Sequence, residues 1–240
     1  MAGIKFNYLK LYKLDTSNEK ASLIGEKRFN SATYFLGAFS TELKSLSKLQ
    51  NKPIQLLDVG ALGENYAKEK SWITATAIDL HPTCGFVKQA DFFDLPLSGI
   101  YNDNPDISVP VDGYDVIALS LVLNFVGDPV KRGEMICKSF SLLKSRLPNS
   151  NEEGTESDGS LGGYLYVVIP LPCISNSRYM NEDYYCKIFQ ASGFKLMASK
   201  SSPKLAFHIF RRLTSPPPKA SFPKSKLRDG PALNNFTIVL

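Results

Sequence analysis

Two apolar runs, each finishing at an aspartate, constrain this chain most. Leu56-Leu57-Asp58-Val59-Gly60-Ala61-Leu62-Gly63 carries an Asp-x-Gly step, and Ala77-Ile78-Asp79-Leu80 ends a second run at Asp79, 19 residues after Gly60. Such runs read as neighbouring parallel strands, whose carboxyl ends form the ligand-binding edge of an open sheet. A glycine there lets the backbone approach a ligand closely, and an aspartate at the end of the next strand can accept both hydroxyl hydrogens of a ribose. A nucleoside-containing cofactor is therefore expected, with Asp58, Gly60 and Asp79 beside it. Leu62 and Glu64 stand where a full glycine-rich fingerprint would place further glycines, so an ordinary strand-to-helix turn is the competing reading.

The remaining chain reads as strands alternating with helices, which means an α/β fold with a mostly parallel sheet. Asn30 is placed to cap a helix through about Leu49, with Tyr34, Phe35, Ala38, Phe39, Leu43 and Leu46 recurring at steps of three and four. Strands are expected at 54–59, 72–79, 86–90, 114–119, 164–169 and 194–199, with a last strand at 236–240 pairing beside the sixth. Asp128-Pro129 should start a helix, a carboxylate cap followed by proline at the first helical position, running until Pro148 stops it. Residues 183–192 form a further helix, ended by Gly193. Ser202-Pro203 reads as another helix start, with Arg211 and Arg212 at that helix's negative end. Residues 98–113 read as a surface insertion. Residues 149–163, almost without apolar side chains, are expected to be disordered. The domain reading is an N-terminal helical extension over 1–51 and one domain over 52–240, with a basic, Pro-rich linker at 214–232.

Composition narrows the function classes. An apolar fraction of 43% over 240 residues supplies a core, and no apolar run approaches the roughly 18 residues of a membrane span. The N-terminus, Met1-Ala2-Gly3-Ile4-Lys5, lacks the apolar stretch of a signal peptide. Cys84, Cys137, Cys173 and Cys186 form no CxxC pair; reduced thiols are expected, with a four-cysteine zinc site as the alternative and no metal assigned. From Phe194 onward nine Lys or Arg face a single acid, Asp229, a balance of +8, whereas the preceding residues carry 19 basic and 22 acidic groups, a balance of −3. A basic tail on a near-neutral body points to a polyanion, or alternatively to a solvated tail.

Further candidates follow along the sheet edge. Asp91 after the third strand can accept from an adenine amino group, and Phe92 or Phe93 can cover a purine face; a turn residue and core rings are the alternatives. His81 reads as lining the loop. In Ser120-Leu121-Val122-Leu123-Asn124-Phe125-Val126, a strand delivers Ser120 to the edge, and Asn124 appears inside an apolar run. A polar group there needs partners, either a substrate base or local backbone. Acidic residues after the first three strands and a polar one after the fourth is the order used by class I S-adenosylmethionine-dependent methyltransferases.

Several separate segments are more specific. Ser120–Val126, Arg132-Gly133-Glu134-Met135, Pro170-Leu171-Pro172-Cys173, Asn176-Ser177-Arg178-Tyr179 and Asn234-Asn235-Phe236-Thr237-Ile238-Val239-Leu240, together with Asp58-Val59-Gly60 and Ala77-Ile78-Asp79-Leu80, resemble the fungal 25S ribosomal RNA adenine-N1 methyltransferases over roughly residues 52–240. The resemblance implies a Rossmann-like class I methyltransferase fold, a seven-stranded, mostly parallel sheet with helices on both faces. It implies S-adenosylmethionine at Gly60 and Asp79, large-subunit ribosomal RNA or a pre-ribosome as partner, and a nuclear, nucleolar site of action. A monomer with no membrane association is expected. Asn124 and Ser120 are the catalytic candidates, and Phe125, Arg178 and Tyr179 the candidates for holding a flipped adenine and its phosphates. A non-catalytic S-adenosylmethionine sensor that binds a protein partner is the alternative.

Overall fold

The computed structural model describes residues 31–97, 107–147, 162–214 and 220–240. Along the chain lie α1 (Ser31–Gln50), β1 (Ile54–Val59), β2 (Ile73–Asp79), β3 (Lys88–Gln89), β4 (Val116–Ser120), α2 (Pro129–Leu142), β5 (Tyr164–Pro170), α3 (Leu171–Ser175), α4 (Glu182–Ala191), β6 (Phe194–Ser201) and β7 (Leu205–Arg212). The seven strands form one sheet in the order β3-β2-β1-β4-β5-β7-β6. β1 to β5 run parallel, and β7 is antiparallel to both its neighbours, β5 and β6.

Period-two alternation sends the buried strand residues to one or the other of two cores. Leu56, Val116, Ala118, Tyr164, Tyr166, Val168, Phe207 and Ile209 pack with Phe35, Leu43 and Leu46 of α1. Leu57, Val59, Ile117, Leu119, Leu165, Val167 and Phe210 pack on the other face with Met135 and Ile136 of α2 and with Tyr185, Ile188 and Phe189 of α4. The three-and-four spacing of α1 therefore docks on the sheet: Phe35 and Leu43 are wholly buried, each contributing about 1.5–3 kcal/mol. Residues 1–30, the rest of the expected extension, lie outside the described residues.

Several elements match the expectations closely. Asp128 Oδ1 accepts from the Val130 amide at 2.9 Å with Pro129 in the first turn of α2, and Gly193 follows α4 with φ +92. α2 ends at Leu142 rather than at Pro148, because the chain leaves it in extended form and Leu143 bridges to Tyr114.

The C-terminal third differs. The stretch read as a helix after Ser202-Pro203 is β7, inserted between β5 and β6. Arg211 and Arg212 therefore cap no helix. Arg211 Nε donates to Gly162 O at 2.8 Å, its guanidinium lies 4.3 Å from the Tyr164 ring centroid, and it pairs with Glu42 at 3.1 Å. Arg212 donates to Leu143 O at 2.7 Å and lies over Phe140. Residues 236–240 are not a strand beside β6. They run extended onto the start of α2, where Val239 N donates to Pro129 O at 3.0 Å. Of the expected 214–232 linker, the described part 220–232 is tied down: Arg228 donates to Ser177 O, Ile174 O and Met180 O at 2.6, 2.9 and 2.6 Å. Gly162 and Gly163, the end of the segment expected to be disordered, pair with Arg212 and Lys144 backbone; residues 148–161 lie outside the described set. Ile107, within the expected surface insertion, is buried in the core; residues 98–106 are likewise outside the described set.

Candidate functional site

The strand order reverses between β1 and β4: from β1 the chain goes outward to β2 and β3, then crosses back to β4 on the other side. At such a switch point the loops diverge and leave a crevice at the carboxyl ends of the strands. Val59 and Leu119 are register partners there, so Gly60 and Ser120 follow side by side.

Gly60 takes φ +68, a left-handed conformation costly for other residues. A Cβ on it would stand 2.8 Å from Val122 Cγ2 and 4.0 Å from Asp79 Oδ2. The Gly60 turn therefore packs directly against the Val122 side chain of the loop after β4, with Asp79 Oδ2 close by and no room for a side chain of its own. Gly60 N and Ala61 N donate to Ile78 O at 2.8 and 3.1 Å, which pins the turn against β2. Asp79 Oδ1 accepts from the His81 amide at 2.6 Å and closes its own turn, with Oδ2 close to the Gly60 backbone. His81 thus contributes its backbone to shaping the loop.

Asp58 is 3% exposed, and Asn65 Nδ2 donates to its Oδ2 at 3.0 Å. Burial pushes its carboxyl up to about 6, against the smaller lowering by Asn65. Asn65 was missed by sequence reasoning; it stands seven residues on in a polar loop, where no periodicity marks it. Val122, hidden in an apolar run, was missed for a similar reason.

Ala90 N donates to Asp79 O at 3.0 Å and brings the third strand end alongside the second. Asp91 Oδ1 accepts from Phe93 N at 2.8 Å, capping a single turn over Phe92–Asp94. The expectation for Phe92 is corrected: at 3% exposure it belongs to the core and has no surface to lay on a purine. Phe93 is the half-buried ring of the pair, with the Lys131 ammonium 5.1 Å from its centroid.

After β4, Leu121 has φ +59, an uncommon conformation for a branched side chain and one that re-aims the backbone at the sheet edge. A tight turn follows, with Phe125 N donating to Val122 O at 2.9 Å. Asn124 Oδ1 is buried there and has no partner among the described residues, and Phe125 is 53% exposed. A buried amide oxygen without a donor is a destabilising feature unless a ligand supplies one.

Arg178 and Tyr179 follow β5, two strands from β1 on the same edge. The guanidinium of Arg178 donates to Leu233 O, Asn235 Oδ1 and Gly230 O at 2.7, 2.8 and 2.8 Å, so it holds the C-terminal segment. Lys224 Nζ lies 4.4 Å from the Tyr179 ring centroid, covering one face of that ring. The structure thus joins Asp58, Gly60, Asp79, Asp91, Ser120, Asn124 and Phe125 along one edge and gives Arg178 a structural task. Cys84, Cys137, Cys173 and Cys186 are free thiols, and no group of side chains among the described residues could hold a metal.

Residues 16–238 match the family described as 25S rRNA (adenine(2142)-N(1))-methyltransferase, Bmt2. The chain belongs to this family. The match begins well before residue 52, where the sequence resemblance was expected to start. The Saccharomyces cerevisiae member, 25S rRNA (adenine(2142)-N(1))-methyltransferase, is 31% identical over 187 residues, 77% of this chain and 48% of that protein. The Schizosaccharomyces pombe 25S rRNA adenine-N(1) methyltransferase is 29% identical over 189 residues, 78% of this chain and 61% of that one. The chain thus spans about half the length of the first relative and three fifths of the second. Among solved structures, the Burkholderia thailandensis 1,6-didemethyltoxoflavin-N1-methyltransferase aligns at 14% identity and TM-score 0.45, over 84% of this chain and 92% of its own. The Bradyrhizobium japonicum N-methyltransferase NodS aligns at 15% and 0.40, over 72% and 84%.

Proposed function

We propose that this chain is an S-adenosylmethionine-dependent methyltransferase that methylates N1 of an adenine in large-subunit ribosomal RNA, on a class I methyltransferase fold. Family membership supports the reaction, and one local observation carries the cofactor: the bare, left-handed Gly60 backbone at the carboxyl end of β1, where no side chain fits, with a carboxylate oxygen of Asp79 beside it. The residues fit the donor. Gly60 backbone would pass beside it, Asp79 Oδ2 would accept from its ribose hydroxyls, and Asp91 would accept from its adenine amino group through the oxygen not capping Phe93. An anionic Asp58 complements a cationic donor.

When bound, S-adenosylmethionine would supply a sulfonium methyl group, taken in line by the adenine N1 lone pair as the C–S bond breaks, so that the neutral thioether leaves and the positive charge passes to the methylated base. That lone pair is available in neutral adenine, so the protein needs no strong base; its task is alignment, worth roughly 7–11 kcal/mol in favourable cases. The N1 edge is paired in duplex RNA, so the target base must be single-stranded or flipped. Asn124 Oδ1, buried and unpaired, would accept from the adenine N6 amino group and fix N1 in line. Ser120 lies at the same edge. Phe125, exposed, offers a stacking surface, with Tyr179 further along the edge. Phosphate contacts come from lysines, since Arg178 is committed elsewhere. We place the protein in the nucleolus, acting as a monomer on ribosomal RNA or a pre-ribosome. No helix among the described residues is long and apolar enough to cross a membrane.

Gly60→Ala tests the cofactor site. The added Cβ meets Val122 at 2.8 Å in a left-handed backbone, so calorimetric affinity for S-adenosylmethionine should fall at least tenfold, with the circular dichroism spectrum kept. Unchanged affinity would remove the donor from this loop.

A further inference from the structure

Arg132 and the chain's last five residues join one another beside the turn that carries Asn124. Arg132 is 7% exposed in the first turn of α2. Its Nε donates to Val126 O at 2.7 Å, and Nη2 reaches Gly127 O at 3.5 Å, so it grips the downstream end of the Asn124 turn. Nη1 donates to Thr237 O at 2.6 Å, and the guanidinium lies 4.4 Å from the Phe236 ring centroid. Gly133, its neighbour, lets the segment come closer still: a Cβ there would stand 2.0 Å from Val239 O. The other end of the segment is latched to the loop after β5, where Ser177 bridges to Asn234 and Ser177 Oγ donates to Phe236 O.

We propose that Arg132 is a positioning residue: seated against Phe236–Leu240, it fixes the Asn124 turn and so sets the rate of transfer to the bound base, not the affinity for the methyl donor. The inference rests on the methyltransferase reading for its kinetic side and stands on geometry for its mechanical side. Within the turn, Val122 O accepts from Phe125 N at 2.9 Å and from Val126 N at 3.3 Å. At its far end Arg132 grips Val126 O and Gly127 O, while the Val126 side chain packs against the core. A planar guanidinium grips two carbonyls of the turn and one of the strap at the same time while stacking on Phe236; a lysine ammonium keeps the charge but cannot reproduce that fork. The proposed donor site, by contrast, rests on Gly60 and Asp79, at the ends of β1 and β2 and outside the gripped turn. Loss of the grip should therefore loosen the catalytic turn and leave the donor site standing.

The test uses the full chain and two variants, Arg132→Lys and Phe236→Leu, the second keeping an apolar side chain in the socket should the first fold poorly. In both, amide hydrogen exchange at Phe125 and Val126 should accelerate at least tenfold while exchange in β1 and β4 stays unchanged. This readout needs neither donor nor RNA. The dissociation constant for S-adenosylmethionine should stay within twofold. Single-turnover methylation of a 25S rRNA fragment should slow about tenfold or more. In an Asn124→Ala background the Arg132→Lys penalty should shrink toward nothing, because both changes act through one side chain. Unchanged exchange at the turn overturns the proposal, as does an equal rate penalty with and without Asn124. If the unaltered chain transfers no methyl group while the exchange result holds, the methyltransferase reading fails and the mechanical clamp survives.

Discussion

Asp58 shows most clearly how burying a single carboxyl costs stability. Its carboxyl is buried beneath the Gly60 turn and raised to about 6. Because the folded protein holds that proton more tightly than the unfolded chain does, stability from this group is full below about pH 4. It declines as pH rises through 6, for a penalty of about 3 kcal/mol. Asp58→Asn should therefore raise Tm at pH 8 and leave it nearly unchanged at pH 4 in thermal melts, while weakening S-adenosylmethionine binding at neutral pH. A Tm difference independent of pH would mean Asp58 is not the titrating group. The places of Asp58, Gly60 and Asp79 at the ends of the first two strands were legible from the sequence because strand ends are marked by an apolar run stopping at a polar residue. Phe92 was misassigned because two adjacent phenylalanines carry no local mark of which one faces the core. Arg178 was misassigned because its partners lie 52 to 57 residues away.

Among the elements, those with a distinct local chemistry were read correctly: β1 and β2 by their apolar runs, and α2 by its Asp128-Pro129 start. β7 was missed because Ala206 to Arg211 are buried on both faces, so the two-residue alternation that identifies a strand is absent. Ser202-Pro203 then imitated a helix start. The C-terminal segment was misread for the converse reason: Phe236-Thr237-Ile238 has a strand's composition, yet its partners are α2 and the loop after β5. Packing there is tight enough to test. Gly133→Ala should push the segment off α2, lowering Tm by roughly 5 °C, the size expected of moderate overpacking in a chain of this length. It should also expose the segment after Phe222 to limited proteolysis. An unaltered digestion pattern would show that the contact is looser than drawn.

At the scale of the whole molecule, the +8 balance of the C-terminal third is less available than the sequence suggests. Arg211, Arg212 and Arg228 are spent on carbonyls and rings inside the fold, and Lys226 pairs with Asp229. RNA affinity should thus depend on the exposed lysines. Replacing Lys195 and Lys224 with Gln should flatten the slope of log affinity against log salt by about 0.7 each, whereas Arg212→Gln should lower Tm and leave the slope as it was. An equal loss of slope from Arg212→Gln would place it on the RNA after all. Purified chain, incubated with methyl-labelled S-adenosylmethionine and a 25S rRNA fragment, should yield, after digestion to nucleosides and mass spectrometry, label in 1-methyladenosine alone. Label on N6 or on another base, or none in RNA while the donor binds, would contradict the proposed reaction.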